Sequence, residues 1–193
     1  MTQVPLMDRI HITEDYDVPR VINGGWQLSA GHALERPLDL ADASRAFNRL
    51  IDMGFDTFDC ADIYTGVEDF FGGIIRERRK AGLRLPQIHT KFVPDLNDLA
   101  NVTPAYVENI ITRSLRRLGV ERLDAVQFHW WDYSVPGMVD VAGELVRLQE
   151  KGLIRLISTT NFNAIELRKL IDAGIPVATN QCQYSVLDRR PAM

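Results

Sequence analysis

The chain has 193 residues, of which 46% are hydrophobic and 25% charged, and this composition fits one globular domain with a sizeable core. A net charge of -4 gives no general electrostatic reason to bind nucleic acid or an anionic membrane. No run of about 18 apolar residues occurs, and the N-terminal stretch with Asp8, Glu14 and Asp15 lacks the order of a secretory signal. We therefore expect a cytoplasmic protein that binds neither nucleic acid nor membrane.

Hydrophobic periodicity and turn residues predict a regular alternation of strands and helices along the chain. Residues 1–19 carry two short apolar fragments that predict a small hairpin in front of the first core strand. The predicted strands, numbered one to six, are residues 20–27, the apolar run from Gly54 into Asp59, and residues 87–91, 124–129, 153–158 and 177–181. The predicted helices between them are residues 38–53, 67–81, 103–118, 138–151 and 163–173.

Strands that are separated by single helices must run parallel, because each crossover returns the chain to the same direction. Two architectures fit this order: an open doubly wound sheet and a (β/α)₈ barrel. No GxGxxG follows strand one, so the main positive signal for a dinucleotide-binding doubly wound sheet is missing. Polar residues at or just after the ends of strands two to six favour the barrel, because only a closed or nearly closed ring brings them to one pocket. They are Asp59 with Tyr64, Lys91, His129, Asn161 and Gln181.

The order and spacing of these residues resemble the aldo-keto reductase superfamily. The family has an aspartate and a tyrosine five residues apart after strand two, a lysine ending strand three and a histidine ending strand four. Asp59, Tyr64, Lys91 and His129 stand at these positions. The resemblance covers roughly residues 21–191 and includes Gly152-Leu153-Ile154-Arg155, Asn161-Phe162 and Asn180-Gln181. It implies NADPH-dependent reduction of an aldehyde or a ketone to an alcohol.

The tetrad also makes chemical sense by itself. Reduction of a carbonyl by hydride needs a proton for the developing alkoxide, and a free tyrosine with a pKa of about 10 is a poor acid near neutrality. We expect Lys91 to lower the pKa of Tyr64 and Asp59 to hold Lys91 by an ion pair. His129 is expected to orient the substrate by donating a hydrogen bond to its oxygen.

The resemblance also assigns residues to the cofactor NADP(H) and to the carbonyl substrate. Thr160, Asn161 and Gln181 match positions that bind the nicotinamide carboxamide, although Thr160 stands where the family usually has serine. Trp26 and Trp130 are candidates for an apolar substrate wall, with core or lid packing as the alternative. Trp131 is a weaker candidate for the same wall.

The pattern of strands and helices stops after strand six. We expect residues 1–193 to form a single aldo-keto reductase-like domain, an incomplete (β/α)₈ barrel that lacks strands seven and eight. In the family, the missing part carries most of the groups that bind the cofactor's pyrophosphate and 2′-phosphate, so weakened NADP(H) affinity is expected. Strands one and six would be unpaired edges, which favours self-association.

Two further hypotheses come from other functional classes. In the first, the chain is a catalytically silent reductase-derived fragment that serves as a scaffold or binding protein. In the second, it is a barrel hydrolase with Asp59 and His129 around a metal. The histidines have no neighbours at metal-ligand spacing, so no metal is expected. Cys60 and Cys182 lack CxxC spacing, and reduced, packed thiols are expected.

Overall fold

The structure is a computed structural model that describes residues 8–30 and 39–192. Its first element is an antiparallel hairpin formed by β1 (Arg9–Thr13) and β2 (Tyr16–Pro19). The hairpin predicted in the N-terminal stretch is therefore confirmed for the residues that are described. Arg9 anchors it to the residue just before the second core strand, because its guanidinium donates to the Asp56 carboxylate at 2.8 Å.

The six core strands form one parallel sheet in which spatial order follows chain order. They are β3 (Asn23–Gly24), β4 (Thr57–Asp59), β5 (Gln87–Phe92), β6 (Leu123–Phe128), β7 (Ile154–Thr160) and β8 (Val177–Gln181). Sequential parallel order with a helix in each crossover is the arrangement of a (β/α)₈ barrel. The predicted incomplete barrel is thereby confirmed, with β3 and β8 at the two edges of the sheet.

Five helices connect these strands: α1 (Leu40–Asp52), α2 (Val67–Lys80), α3 (Pro104–Leu118), α4 (Met138–Glu150) and α5 (Ala164–Asp172). Local sequence explains where three of them begin. Asp39, Thr103 and Asn163 each accept a hydrogen bond from a backbone N–H of the first helical turn, which satisfies a donor that the helix leaves free. The predicted start of α1 at Leu38 lies outside the described residues. Among the described helices, none combines the length and apolar character that a membrane span requires.

Strand one is much shorter than predicted. The predicted strand covers residues 20–27, and β3 contains only Asn23 and Gly24. After β3, the Gly25 N–H donates to the Asp59 carbonyl at 2.8 Å, and the chain then turns into a short 3₁₀ helix, Trp26–Leu28. A side chain at Gly25 would meet Phe71 and Val67 at 3.0 Å. The glycine therefore lets this segment lie directly against the end of β4.

The main core lies between the sheet and the helices and is rich in aromatic side chains. Phe47 of α1, Phe58 of β4 and Phe71 of α2 pack with ring centroids 5.0 to 5.4 Å apart, a spacing at which aromatic pairs attract each other. A smaller cluster joins the hairpin residues Tyr16 and Val18 to the sheet. The hairpin thus packs against the sheet, and the carboxyl ends of the strands carry the candidate site.

Candidate active site

An ion pair between neighbouring strands forms the centre of the site. The Lys91 ammonium of β5 lies 2.6 and 2.7 Å from the two carboxylate oxygens of Asp59 in β4, and it also donates to the Cys60 carbonyl at 2.8 Å. The exposed fractions of the Lys91 and Asp59 side chains are 7% and 14%. Parallel pairing brings the carboxyl ends of β4 and β5 together, so two residues that are 32 positions apart meet as the sequence predicted.

Two glutamines complete the surroundings of the Asp59 carboxylate. Gln127 of β6 and Gln181 of β8 donate to Asp59 Oδ1 at 2.8 and 3.0 Å. Sequence reasoning missed Gln127. A signal was present, because Gln127 lies two positions before His129, and alternate residues of a strand face the same side.

Tyr64 follows β4 and lies beside the ion pair, with its ring centroid 5.2 Å from Lys91 Nζ. Burial, together with the charge of Asp59, raises the pKa of Tyr64 to about 12. The prediction that Lys91 lowers the pKa of Tyr64 is therefore wrong. The physical reason is that Lys91 directs its ammonium to Asp59 and Cys60, so its charge is compensated by the adjacent carboxylate.

His129 comes directly after β6, and its Nδ1 lies 3.2 Å from the Thr160 carbonyl oxygen. A carbonyl only accepts, so Nδ1 carries the proton of this hydrogen bond. Burial lowers the pKa of His129, and the charge of Lys91 acts in the same direction. The neutral ring therefore presents an Nε2 lone pair, and a hydrogen bond from Nε2 to a carbonyl oxygen requires the imidazolium form.

The predicted cofactor residues lie together at the ends of β7 and β8. The Thr160 hydroxyl donates to Gln181 Oε1 at 3.3 Å, and the Asn161 N–H donates to the Gln181 carbonyl at 2.7 Å. Asn161 adopts a left-handed φ of 60°, which is uncommon for a residue other than glycine and costs free energy unless the surroundings enforce it. Its side chain is exposed, whereas the Gln181 amide already contacts Asp59.

The structure corrects one tryptophan assignment. Trp130 is only 1% exposed, packs against Phe128 and donates from Nε1 to the Val135 carbonyl at 3.2 Å. It is a core residue and not part of a substrate wall. Consecutive residues of an extended segment point to opposite sides, so a chain that directs His129 toward the site directs Trp130 away from it.

Trp131 borders the site in place of Trp130. It is 48% exposed, and its ring meets the His129 ring edge-on with centroids 4.5 Å apart. Trp26, which follows β3, is 46% exposed, and its place in a substrate wall stays a prediction.

The two cysteines differ in their surroundings. Both thiols are unpaired, with Cys60 buried and Cys182 exposed, so the expectation that Cys182 is packed is wrong. Cys182 follows the edge strand β8, where no further strand of the described sheet covers it. Across residues 8–30 and 39–192, no group of three or more His, Cys, Asp or Glu side chains could hold a metal ion.

Comparison with known proteins connects this chain to one family. The model of the aldo/keto reductase family matches residues 20–193. Methylglyoxal reductase DkgA of Yersinia pestis is 29% identical over 190 residues, which are 97% of this chain and 60% of the relative. The chloroplastic pyridoxal reductase of Arabidopsis thaliana is 30% identical over 179 residues, which are 84% of this chain and 45% of the relative.

Solved structures show the same fold. A thermostable aldo-keto reductase, Tm1743, crystallised with the inhibitor epalrestat, superimposes with a TM-score of 0.78 at 22% identity, over 96% of this chain and 66% of its own. The Bombyx mori aldo-keto reductase in complex with NADP gives a TM-score of 0.75 at 23% identity, over 93% of this chain and 59% of its own. The chain therefore spans about two thirds or less of the length of these proteins.

Proposed function

The chain belongs to the aldo/keto reductase family, and on that premise we propose that it is an NADPH-dependent oxidoreductase that reduces an aldehyde or a ketone to an alcohol. One observation carries the proposal. Asp59 and Lys91 form a largely buried ion pair beside the Tyr64 ring. The pair lies at the carboxyl ends of the strands, and His129 follows the carboxyl end of the next strand, β6. This is an acid and its charged neighbours at the carboxyl ends of adjacent parallel strands, where barrel enzymes carry their chemistry.

Tyr64 is the proton donor in this proposal. Its raised pKa of about 12 keeps the phenol protonated throughout the neutral range, so the proton is present when it is needed. An alkoxide is a stronger base than a phenolate, so transfer from Tyr64 to the reduced carbonyl oxygen remains favourable. The Lys91 ammonium lies beside the Tyr64 ring, and Asp59 keeps it in place.

His129 orients the carbonyl in one of two ways that depend on its protonation. The imidazolium donates directly from Nε2, whereas the neutral ring, which uses Nδ1–H for the Thr160 carbonyl, accepts a hydrogen bond there from water or from the alcohol product. The lowered pKa of His129 makes the neutral form the main one at neutral pH. We therefore expect the direct hydrogen bond to contribute most at acidic pH.

Three residues fit the nicotinamide carboxamide. Asn161 is exposed and bonds Gln181 through its backbone N–H, and the Thr160 hydroxyl donates to the Gln181 side-chain amide. A carboxamide needs both donors and acceptors, and these side chains offer both. When bound, the nicotinamide supplies the hydride, and the protein groups described above place the proton.

We propose a small carbonyl compound as the substrate. The names of the relatives, methylglyoxal reductase and pyridoxal reductase, support this class. The exposed ring of Trp131 next to His129 offers an apolar surface for such a molecule.

The test is NADPH binding and turnover by the purified chain. NADPH fluorescence is titrated with NADH as the comparison, and oxidation of NADPH is then followed with methylglyoxal and with an aromatic aldehyde. Tyr64→Phe is expected to lose roughly 10²- to 10⁴-fold in kcat, the usual contribution of a general acid. Tyr106→Phe is the matched control, because its hydroxyl accepts from the Asp95 N–H away from the tetrad.

Three other outcomes separate the hypotheses. Cofactor binding without turnover, or turnover that Tyr64→Phe leaves intact, would contradict the assigned mechanism. Absence of NADPH binding up to millimolar concentration would favour the catalytically silent scaffold.

A further inference from the structure

Gln127 is a buried polar residue that neither the family resemblance nor the proposed mechanism uses. It lies in the middle of the sheet on β6 and is 4% exposed. We propose that Gln127 is a positioning residue that fixes the Asp59 carboxylate and, through it, the Lys91 ammonium beside Tyr64. This inference rests on the proposed reductase function, because it assigns Gln127 a part in the same site.

The hydrogen bonds of the ion pair show why a third group is needed. The Lys91 ammonium has three protons, and its three contacts are the two oxygens of Asp59 and the Cys60 carbonyl. A compact ammonium is a point charge that follows a carboxylate as it rotates about its Cβ–Cγ bond. The Gln127 Nε2 donor, 2.8 Å from Asp59 Oδ1, reaches the carboxylate from another strand and supplies a second fixed direction.

Gln127 is better suited to this task than Gln181, the other glutamine that contacts Asp59. Gln127 belongs to β6, which is paired on both sides by β5 and β7. Gln181 is exposed on the edge strand β8, and its contact with Asp59 is longer, at 3.0 Å. The proposed function also assigns Gln181 to the cofactor, and an amide that turns to the cofactor no longer serves Asp59.

The chemistry of the side chain at position 127 matters because Asp59 is largely buried. A cation there would compete with Lys91 for the carboxylate, and an anion would repel it. An apolar side chain would leave Oδ1 with one donor fewer in a place that water reaches poorly. A neutral amide donor avoids all three effects, which is why glutamine suits the position.

Two substitutions of similar shape test the proposal. Gln127→Met removes the donor, and Gln127→Glu replaces the donor with an anion. Gln87→Met is the matched control, because Gln87 starts the neighbouring strand β5 and accepts from Thr57 Oγ1 at 2.7 Å. We expect kcat to fall roughly 10- to 100-fold in Gln127→Met, the loss that corresponds to one hydrogen bond to a charged group.

Three further features separate positioning from simple filling of space. Gln127→Glu should lose more kcat than Gln127→Met, whereas a filling role would make the more isosteric glutamate the milder change. The KM for both substrates should stay within about threefold of wild type, because the lost interaction acts on the proton donor. Gln87→Met should keep the wild-type kcat. Equal kcat in wild type and Gln127→Met would overturn the proposal.

A crystal structure of Gln127→Met gives a readout that does not need activity. The expected result is a rotated Asp59 carboxylate in which Lys91 Nζ keeps contact with one oxygen instead of two. Retention of both contacts would overturn the positioning role. If the wild-type chain fails to reduce any carbonyl compound, the proposed function fails, and this structure still decides what Gln127 does to Asp59.

Discussion

The single ammonium of Lys91 contacts both oxygens of the Asp59 carboxylate, at 2.6 and 2.7 Å. The pair joins β4 to β5 where the two strands end, and both side chains are largely buried. A buried pair contributes little by its presence, but removal of one partner leaves an uncompensated charge. Stability and activity therefore depend together on this contact.

Substitution of Lys91 by methionine should lower the free energy of unfolding by about 2–3 kcal/mol, since Asp59 keeps some exposure and the full cost of a broken buried pair is higher. Urea denaturation measures this change. The double variant Lys91→Met with Asp59→Asn should recover most of the loss. Lys151→Met is the control, because the Lys151–Glu108 pair is exposed on both sides, at 49% and 45%, and should contribute about 0.5 kcal/mol or less. Equal losses in the two lysine variants would contradict the buried-charge argument.

The stability of the protein should fall as the pH decreases from about 6.5 to about 4 because of His89. Burial lowers the pKa of His89 to about 4, and its Nε2 lies 2.9 Å from the buried Tyr16 hydroxyl. The unfolded chain, with a histidine pKa of about 6.5, binds a proton in this window that the folded chain does not bind. The contribution of His89 to the free energy of unfolding is thus complete above pH 6.5 and lost toward pH 4. It is on the order of 3 kcal/mol in total.

Urea denaturation at a series of pH values measures this dependence, with His89→Gln as the comparison. Glutamine keeps a hydrogen-bonding partner for Tyr16 but does not titrate, so the slope between pH 6.5 and 4 should become smaller. An unchanged slope in His89→Gln would show that other groups cause the acid sensitivity.

Truncation of the two adjacent tryptophans should affect different properties: stability for Trp130 and substrate binding for Trp131. Trp130→Ala removes a fully buried core side chain and should lower the free energy of unfolding by about 3–5 kcal/mol. Trp131→Ala removes a half-exposed ring beside His129 and should change mainly the KM for the carbonyl substrate. Thermal unfolding and steady-state kinetics measure both effects. The assignment would be reversed if Trp130→Ala folded with normal stability and only its KM changed.

Two neighbouring glycines of α2 provide a matched pair for packing. A Cβ at Gly72 would lie 2.1 Å from the Arg117 carbonyl oxygen of α3, whereas a Cβ at Gly73 would meet nothing within 4 Å. Gly73→Ala should therefore stabilise the chain by up to about 1 kcal/mol through helix propensity. Gly72→Ala should force α2 and α3 apart and destabilise it by about 1–3 kcal/mol. Similar unfolding midpoints for the two variants would contradict this helix contact.

Much of the fold was predictable because its signals are local in the chain. Hydrophobic periodicity and the caps at Asn163 and Thr103 depend on residues within one or two turns of each other. The helices begin close to the positions that these signals predict. Parallel order then follows from the alternation of strands and helices. The same reasoning predicted that Lys91 and Asp59 lie close together, since neighbouring parallel strands end side by side.

Other properties of the site were decided only by the tertiary structure. Gln127 meets Asp59 across a separation of 68 residues, and no local pattern states which donors surround a carboxylate. The pKa of Tyr64 rises because of burial and the Asp59 charge, and both depend on neighbours that the fold brings together. Sequence alone identified the chemical groups and their order, whereas their protonation, orientation and supporting contacts depend on distances that exist only after the strands have assembled.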